Sequence, residues 1–286
     1  MILIHLLNAL LMVVIPVSLA FIAILKMKLG WRFWLIGGLV FLLSQIGHIP
    51  FNYFVGKILN KTELIYLPWT GQILFNACFL GLSAGLWEES FRYLMYRWWI
   101  KDARSWQKGI LAGLGHGGFE SIILGFLAVY TLLQMLALKN ADIRTIVQPE
   151  RLSATLKAVA IYWSMPWYDT LLGSIERTLT LPIQVAFSVL ILQVFIKGKM
   201  IWFYCAILFH FMVDGIALIL ISFSTIYVTE MVLLFFSVIS IWIIISLRST
   251  ISIDREVMRI TTVESKVNII NALDETNENL DNTIYQ

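Results

Sequence analysis

Apolar residues run along this chain in blocks of roughly 20 or more, the length that crosses about 30 Å of hydrocarbon at 1.5 Å per residue. The blocks fall at 2–25, 33–55, 72–98, 109–138, 176–196, 200–221 and 226–247. The pattern predicts an all-α fold, a polytopic transmembrane helix bundle of about seven spans. It forms one domain over 1–247 with no internal repeat. Loops are short except at 139–175, which begins polar (Lys139 to Arg151) and then turns aromatic through Tyr162, Trp163, Trp167 and Tyr168. Pro166 interrupts that stretch. It is too short and too aromatic for a span, so 154–172 predicts an interfacial or a re-entrant helix after the fourth span. An eighth span there would reverse the placement of Lys197 and Lys199. From Arg248 the chain becomes polar, and 248–286 is expected to be a cytoplasmic tail.

Composition agrees with the pattern: 59% of the residues are hydrophobic and only 14% charged. The first block has no basic segment before it, and Lys26, Lys28 and Arg32 follow it, which argues against a signal peptide. Placing those charges inside puts the N-terminus outside. Arg97, Lys101, Arg104, Lys108, Lys197, Lys199 and the tail cations then fall inside as well. Fewer (Lys57, Lys61, Lys139, Arg144, Arg151, Lys157) fall outside, which gives an N-out, C-in arrangement. The net charge of +3 is accounted for by this bias, so the expected partner is the lipid bilayer and not a nucleic acid. The expected location is the cell membrane, multi-pass, in a bacterial cytoplasmic membrane. Trp31, Trp34, Trp98 and Trp99 sit near the inner interface, as an aromatic belt would. Cys78 and Cys205 fall within spans and read as apolar packing residues.

Charge inside the spans changes the picture. Three pairs, Glu88–Glu89, His116–Glu120 and His210–Asp214, lie in membrane-length blocks, where each charge costs about 2.5–3.5 kcal/mol on insertion scales. Counted from the inner end, Glu88 and Glu89 lie roughly 15 Å deep, His116 and Glu120 roughly 11 and 17 Å, His210 and Asp214 roughly 15 and 21 Å. Three antiparallel helices thus bring acids and imidazoles to one level. Residues four apart share a helix face, so each histidine and its carboxylate aim the same way. Arg92, three and four residues after the glutamates, is placed to neutralise one and leave the other free.

Two imidazoles with carboxylates suit a divalent metal, zinc above all, whose bound water a nearby carboxylate can deprotonate. Gly115, Gly117 and Gly118 around His116 allow close helix approach or room for a substrate backbone. Taken singly, each pair also reads as a buried structural ion pair, an interhelical lock or simple packing. Three functions remain open: a membrane-embedded metal-dependent peptidase acting on a membrane protein or peptide, a proton-coupled transporter, and a silent relative that binds membrane peptides. The absence of an inverted repeat or paired broken helices speaks against the transporter.

Four segments carry a resemblance: Glu88-Glu89-Ser90-Phe91-Arg92-Tyr93, Gly115-His116-Gly117-Gly118-Phe119-Glu120, Glu176-Arg177 and His210-Phe211-Met212-Val213-Asp214. In this order they resemble the YhfC-type intramembrane metalloproteases, a family related to type II CAAX prenyl endopeptidases, bacteriocin-processing enzymes and PrsW-like proteases. The resemblance implies a helix bundle around a conical cavity. It also implies Glu88 or Glu89 as the water-activating base, His116 and His210 as metal ligands, and Glu120 and Asp214 as ligands or orienting groups. Glu176, Arg177 and Gln184 would line the pocket. The chain departs from the family pattern at Gln184, where relatives carry a histidine eight residues after the Glu-Arg pair, and a neutral amide is a poor zinc ligand.

Overall fold

The computed structural model describes residues 1–59, 61 and 66–248, and every regular element among them is helical. In chain order these are α1 (Ile2–Met27), α2 (Arg32–Leu59), α3 (Trp69–Leu94), α4 (Trp106–Lys139), α5 (Ile143–Ile146), α6 (Pro149–Ser164), α7 (Trp167–Thr170), α8 (Leu172–Lys197), α9 (Ile201–Phe223) and α10 (Ile226–Arg248). A π-helical turn, Met95–Trp99, extends α3 and closes on the amide of Ile100, which donates to Met95 O at 3.0 Å. Local chemistry sets the ends. Lys28 and Gly198 take left-handed conformations after α1 and α8. Ser105 caps α4 by accepting from the Lys108 amide. Met165 is extended, as the residue before Pro166 must be.

Six of these helices are long and apolar enough to cross a membrane by length and composition: α1, α2, α4, α7–α8 taken as one stretch, α9 and α10. The block at 72–98 does form a helix, α3, of 26 residues. It is not among the six, because Gln72, Asn76, Glu88, Glu89 and Arg92 dilute its apolarity. The outward face of the bundle suits lipid: Leu3, Ile46, Met231 and Trp242 stand exposed, Met231 at 71%. This is a multi-pass, all-α membrane protein.

The centre of the bundle is α8. From Ile183 to Val194 every residue is buried, the mark of a helix covered on all sides. It packs against α4, α9 and α1; α4 also packs against α1 and α2, and α3 lies between α9 and α2. Glycines bring these backbones together. A Cβ on Gly115 would run into the Trp34 carbonyl of α2, and one on Gly113 would stand 2.6 Å from Val185 Cα. One on Gly117 would stand 2.9 Å from Gln184 Cβ, and one on Gly118 3.3 Å from Trp34 Nε1. The glycines around His116 therefore serve helix approach, and the room they leave is filled by neighbouring helices.

The stretch 154–172 is not one element: α6 ends at Ser164, and α7 begins after Pro166. No residue of α6 is buried. Cys78 and Cys205 are free, not joined in a disulfide, and stand exposed on the bundle surface instead of packed within it. The chain divides into two units, Met1–Ile244 and Ile245–Gln286. The first holds every candidate site residue. In the second, Ile245–Arg248 are helical, and the expected tail beyond Arg248 lies outside the described residues.

Candidate active site

Successive turns of α3 present Gly81, Gly85 and the pair Glu88–Glu89. A Cβ at Gly85 would come within 2.9 Å of Ile207 O, so α9 lies close enough for His210 to reach the glutamates. The two carboxylates are used differently. Glu89 is fully buried; its Oε1 accepts from Arg92 Nη1 at 2.5 Å and lies 2.8 Å from His210 Nδ1. Glu88 keeps slight exposure and meets three helices. Its Oε2 is 3.0 Å from His116 Nε2 and 3.9 Å from His210 Nε2, and its Oε1 accepts from Gln45 Nε2 at 3.0 Å. Arg92 Nη2 stands 3.9 Å from Glu88 Oε2. The expected convergence of α3, α4 and α9 is thus present in the geometry.

Aromatic rings wall this cluster. His210 stacks on Phe187, with ring centroids 4.4 Å apart and planes 9° from parallel. The Arg92 guanidinium lies 5.5 Å from the same ring. Phe41 meets His116 edge-on. Three polar atoms are buried here without a partner among the described residues: Glu89 Oε2, Arg92 Nε and His116 Nδ1. Buried polar atoms are rarely left so.

A second network adjoins the first. Arg177 donates to Glu120 Oε1 at 2.6 Å and also pairs with Glu176. Gln184 donates to Glu120 Oε2 at 2.9 Å and accepts from Arg92. Glu120 shares the helix face of His116 but reaches α8 instead of the imidazoles. Asp214 stays beside its helical neighbour, 3.4 Å from His210 Nε2. Gln184 is therefore the amide that joins the two networks.

Sequence reasoning missed the polar face of α2. His48 Nδ1 meets Gln45 Oε1 at 3.3 Å, Asn52 Nδ2 lies 2.8 Å from His48 Nε2, and Ser83 Oγ donates to Asn52 Oδ1 at 2.9 Å. Gln45, His48 and Asn52 recur at helical spacing inside an apolar block, which was the available signal. Two cavities flank the site. One, of about 350 Å³, touches His48, Asn52, Ala84, Asp214 and Glu230. The other, of about 100 Å³, touches Glu120, Arg177, Gln184, His210 and Asp214. Glu176 and Asp214 line both.

The expected metal shell of His116, Glu120, His210 and Asp214 is not assembled. Among the described residues no three or more histidine, cysteine, aspartate or glutamate side chains are grouped so as to hold a metal ion. The donor chemistry is suitable, but the donors face one another: His116 is turned to Glu88, His210 to Glu89 and Asp214, Glu120 to Arg177 and Gln184.

Comparison with known proteins bears on the whole arrangement. Residues 11–241 match the family described as YhfC intramembrane metalloprotease. The chain is 30% identical over 131 residues to the uncharacterized membrane protein YhfC of Bacillus subtilis (strain 168), a match covering 45% of this chain and 51% of the relative. The chain thus spans about half the length of the curated relative it matches. No solved structure matches it. With the family match running across all four motif segments, from α1 into α10, the chain belongs to the YhfC intramembrane metalloprotease family.

Proposed function

We propose that this protein is an intramembrane peptide hydrolase that cuts a membrane protein or peptide at the level of Glu88. One observation carries the reading. Glu88 is the carboxylate that meets both imidazoles, 3.0 Å from His116 and 3.9 Å from His210, while Glu89 is held by Arg92 and His210. Glu88 is therefore assigned as the general base. Glu89 and Arg92 are positioning residues that fix the His210 ring.

The chemistry follows from these placements. Glu88 takes a proton from a water as the water oxygen bonds to the scissile carbonyl carbon. The carbonyl electron pair moves onto its oxygen, which accepts a hydrogen bond from imidazole N–H. The C–N bond then breaks, and the proton passes from Glu88 to the leaving nitrogen. The products are a carboxyl and an amine end, and Glu88 is restored as carboxylate. Family membership implies a divalent metal ion. The described residues form no shell for one, so each step is assigned to the chain's own groups. Zinc, the kinship with CAAX-type and PrsW-like proteases, and α3 as a seventh span of an N-out, C-in bundle belong to the same proposal.

A second reading, peptide binding without cleavage, is favoured by Gln184. It links Arg92 to Glu120 at the position where the resemblance implies a histidine. One experiment separates the two. The full chain is reconstituted in liposomes with a library of single-span peptides, and products are read by mass spectrometry. Cleavage by the wild type and its loss in Glu88→Gln is the expected result. Undiminished cleavage by Glu88→Gln would falsify the assignment of the base; binding without products from the wild type favours the silent relative. Metal analysis accompanies it. A divalent ion in the wild type that is lost in His116→Ala/His210→Ala would make these imidazoles its ligands, and equal content in both removes them as ligands.

A further inference from the structure

The larger cavity lies between α2, α3, α8, α9 and α10, and its volume of about 350 Å³ falls in the range of small-ligand pockets. Much of its wall is apolar, including Leu80, Leu218 and Ile221. Three acidic residues also line it, Glu176, Asp214 and Glu230. Glu176 pairs with Arg177, and Asp214 lies 3.4 Å from His210. Glu230, on the second turn of α10, has no ion-pair partner among the described residues. It is 8% exposed, and its Oε2 is buried without a hydrogen-bond partner among the described residues. Its neighbour Thr229, 5% exposed, has its Oγ1 in the same condition. Glu230 lines this largely apolar cavity, and a buried carboxyl oxygen left without a donor is costly. A ligand that carries donors into the cavity removes that cost.

We propose that this cavity seats a lysine or arginine side chain of the peptide substrate. Glu230 is its counter-ion, Thr229 a further acceptor, and the apolar wall holds the aliphatic stem. The proposal rests on the peptide-hydrolase reading and adds a substrate class, an apolar segment with a basic residue beside the scissile bond. Position supports the adjacency: Asp214 lines this cavity and the smaller one that reaches His210. A chain anchored at Glu230 lays its neighbouring backbone toward the imidazole.

Binding is measured apart from cleavage. Full-length Glu88→Gln protein in nanodiscs is titrated with a fluorescent apolar peptide bearing one lysine, and with the same peptide carrying norleucine, which keeps the stem and removes the charge. The lysine peptide is expected to bind at least about tenfold more tightly, the low end for a charge-assisted hydrogen bond away from water. Glu230→Gln on that background is expected to abolish the preference. Carbodiimide labelling of unmutated Glu230, mapped by mass spectrometry, gives a readout independent of whether the variant folds. The lysine peptide should protect it and the norleucine peptide should not. Equal affinity for the two peptides, a preference that survives Glu230→Gln, or equal labelling with either peptide overturns the proposal. So does loss of the preference when sodium replaces N-methylglucamine at constant ionic strength, which would assign the cavity to an inorganic cation. Failure here leaves the cleavage result with wild type and Glu88→Gln untouched, so the two readings fail separately.

Discussion

At the scale of single residues, adjacent glutamates have different environments and should fail differently. Glu89 neutralises Arg92, a fully buried guanidinium. Removing one partner of such a pair costs about 3–5 kcal/mol, because the other charge stays buried. Glu89→Gln is therefore expected to lower the thermal unfolding midpoint in detergent sharply. Glu88→Gln leaves the Arg92–Glu89 pair intact and should keep the midpoint near that of the wild type, while cleavage falls by about 10²–10⁴. Equal loss of stability in both variants would refute this division. The pairing of Glu88 with His116 was legible in part: both side chains were placed at one depth, and Arg92 was expected to hold one carboxylate. Which glutamate it holds was not legible, because that depends on the rotation of α3 against α9, and spacing within one helix does not contain it. The same limit explains Glu120. Its i+4 relation to His116 fixes a shared face, but a helix face is wide enough to address two neighbours, and Glu120 meets α8.

At the scale of elements, the helices were readable from apolar runs because the bilayer permits no other spanning structure short of a closed barrel. Their ends extended beyond the blocks by a few residues, since interfacial residues such as Arg32 and Trp106 continue the helix past the apolar part. The α2 polar face and Glu230 went unread, since a single amide or acid in a span has no partner until the packing is known. The glycines of α4 are now assigned to packing, which yields a prediction. Gly115→Leu, aimed at the Trp34 carbonyl, should separate α2 from α4 and lower the unfolding midpoint by an amount comparable to severe overpacking, about 1–3 kcal/mol or more. The same change at Gly56, where nothing lies within 4 Å, should be nearly neutral. Similar midpoints for the two would show that α2 and α4 do not approach as described.

At the scale of the whole molecule, the expected orientation can be read by labelling. On a Cys78→Ala, Cys205→Ala background, Lys139→Cys should react with a membrane-impermeant maleimide on intact cells. Lys101→Cys should react only after permeabilisation, and the opposite pattern reverses the bundle. The charge networks also bear on how the protein is made. Glu120 precedes its partner Arg177 by 57 residues, and Glu89 precedes His210 by 121. During synthesis, Glu120 therefore leaves the ribosome well before the guanidinium that compensates it exists, and Glu89, already paired with Arg92, well before the imidazole it holds. Insertion cannot be completed helix by helix. The first half of the bundle has to wait, shielded from the lipid tails, until α8 threads into the middle and α9 closes the last ion pair, so maturation is a single late event that a truncated chain never reaches.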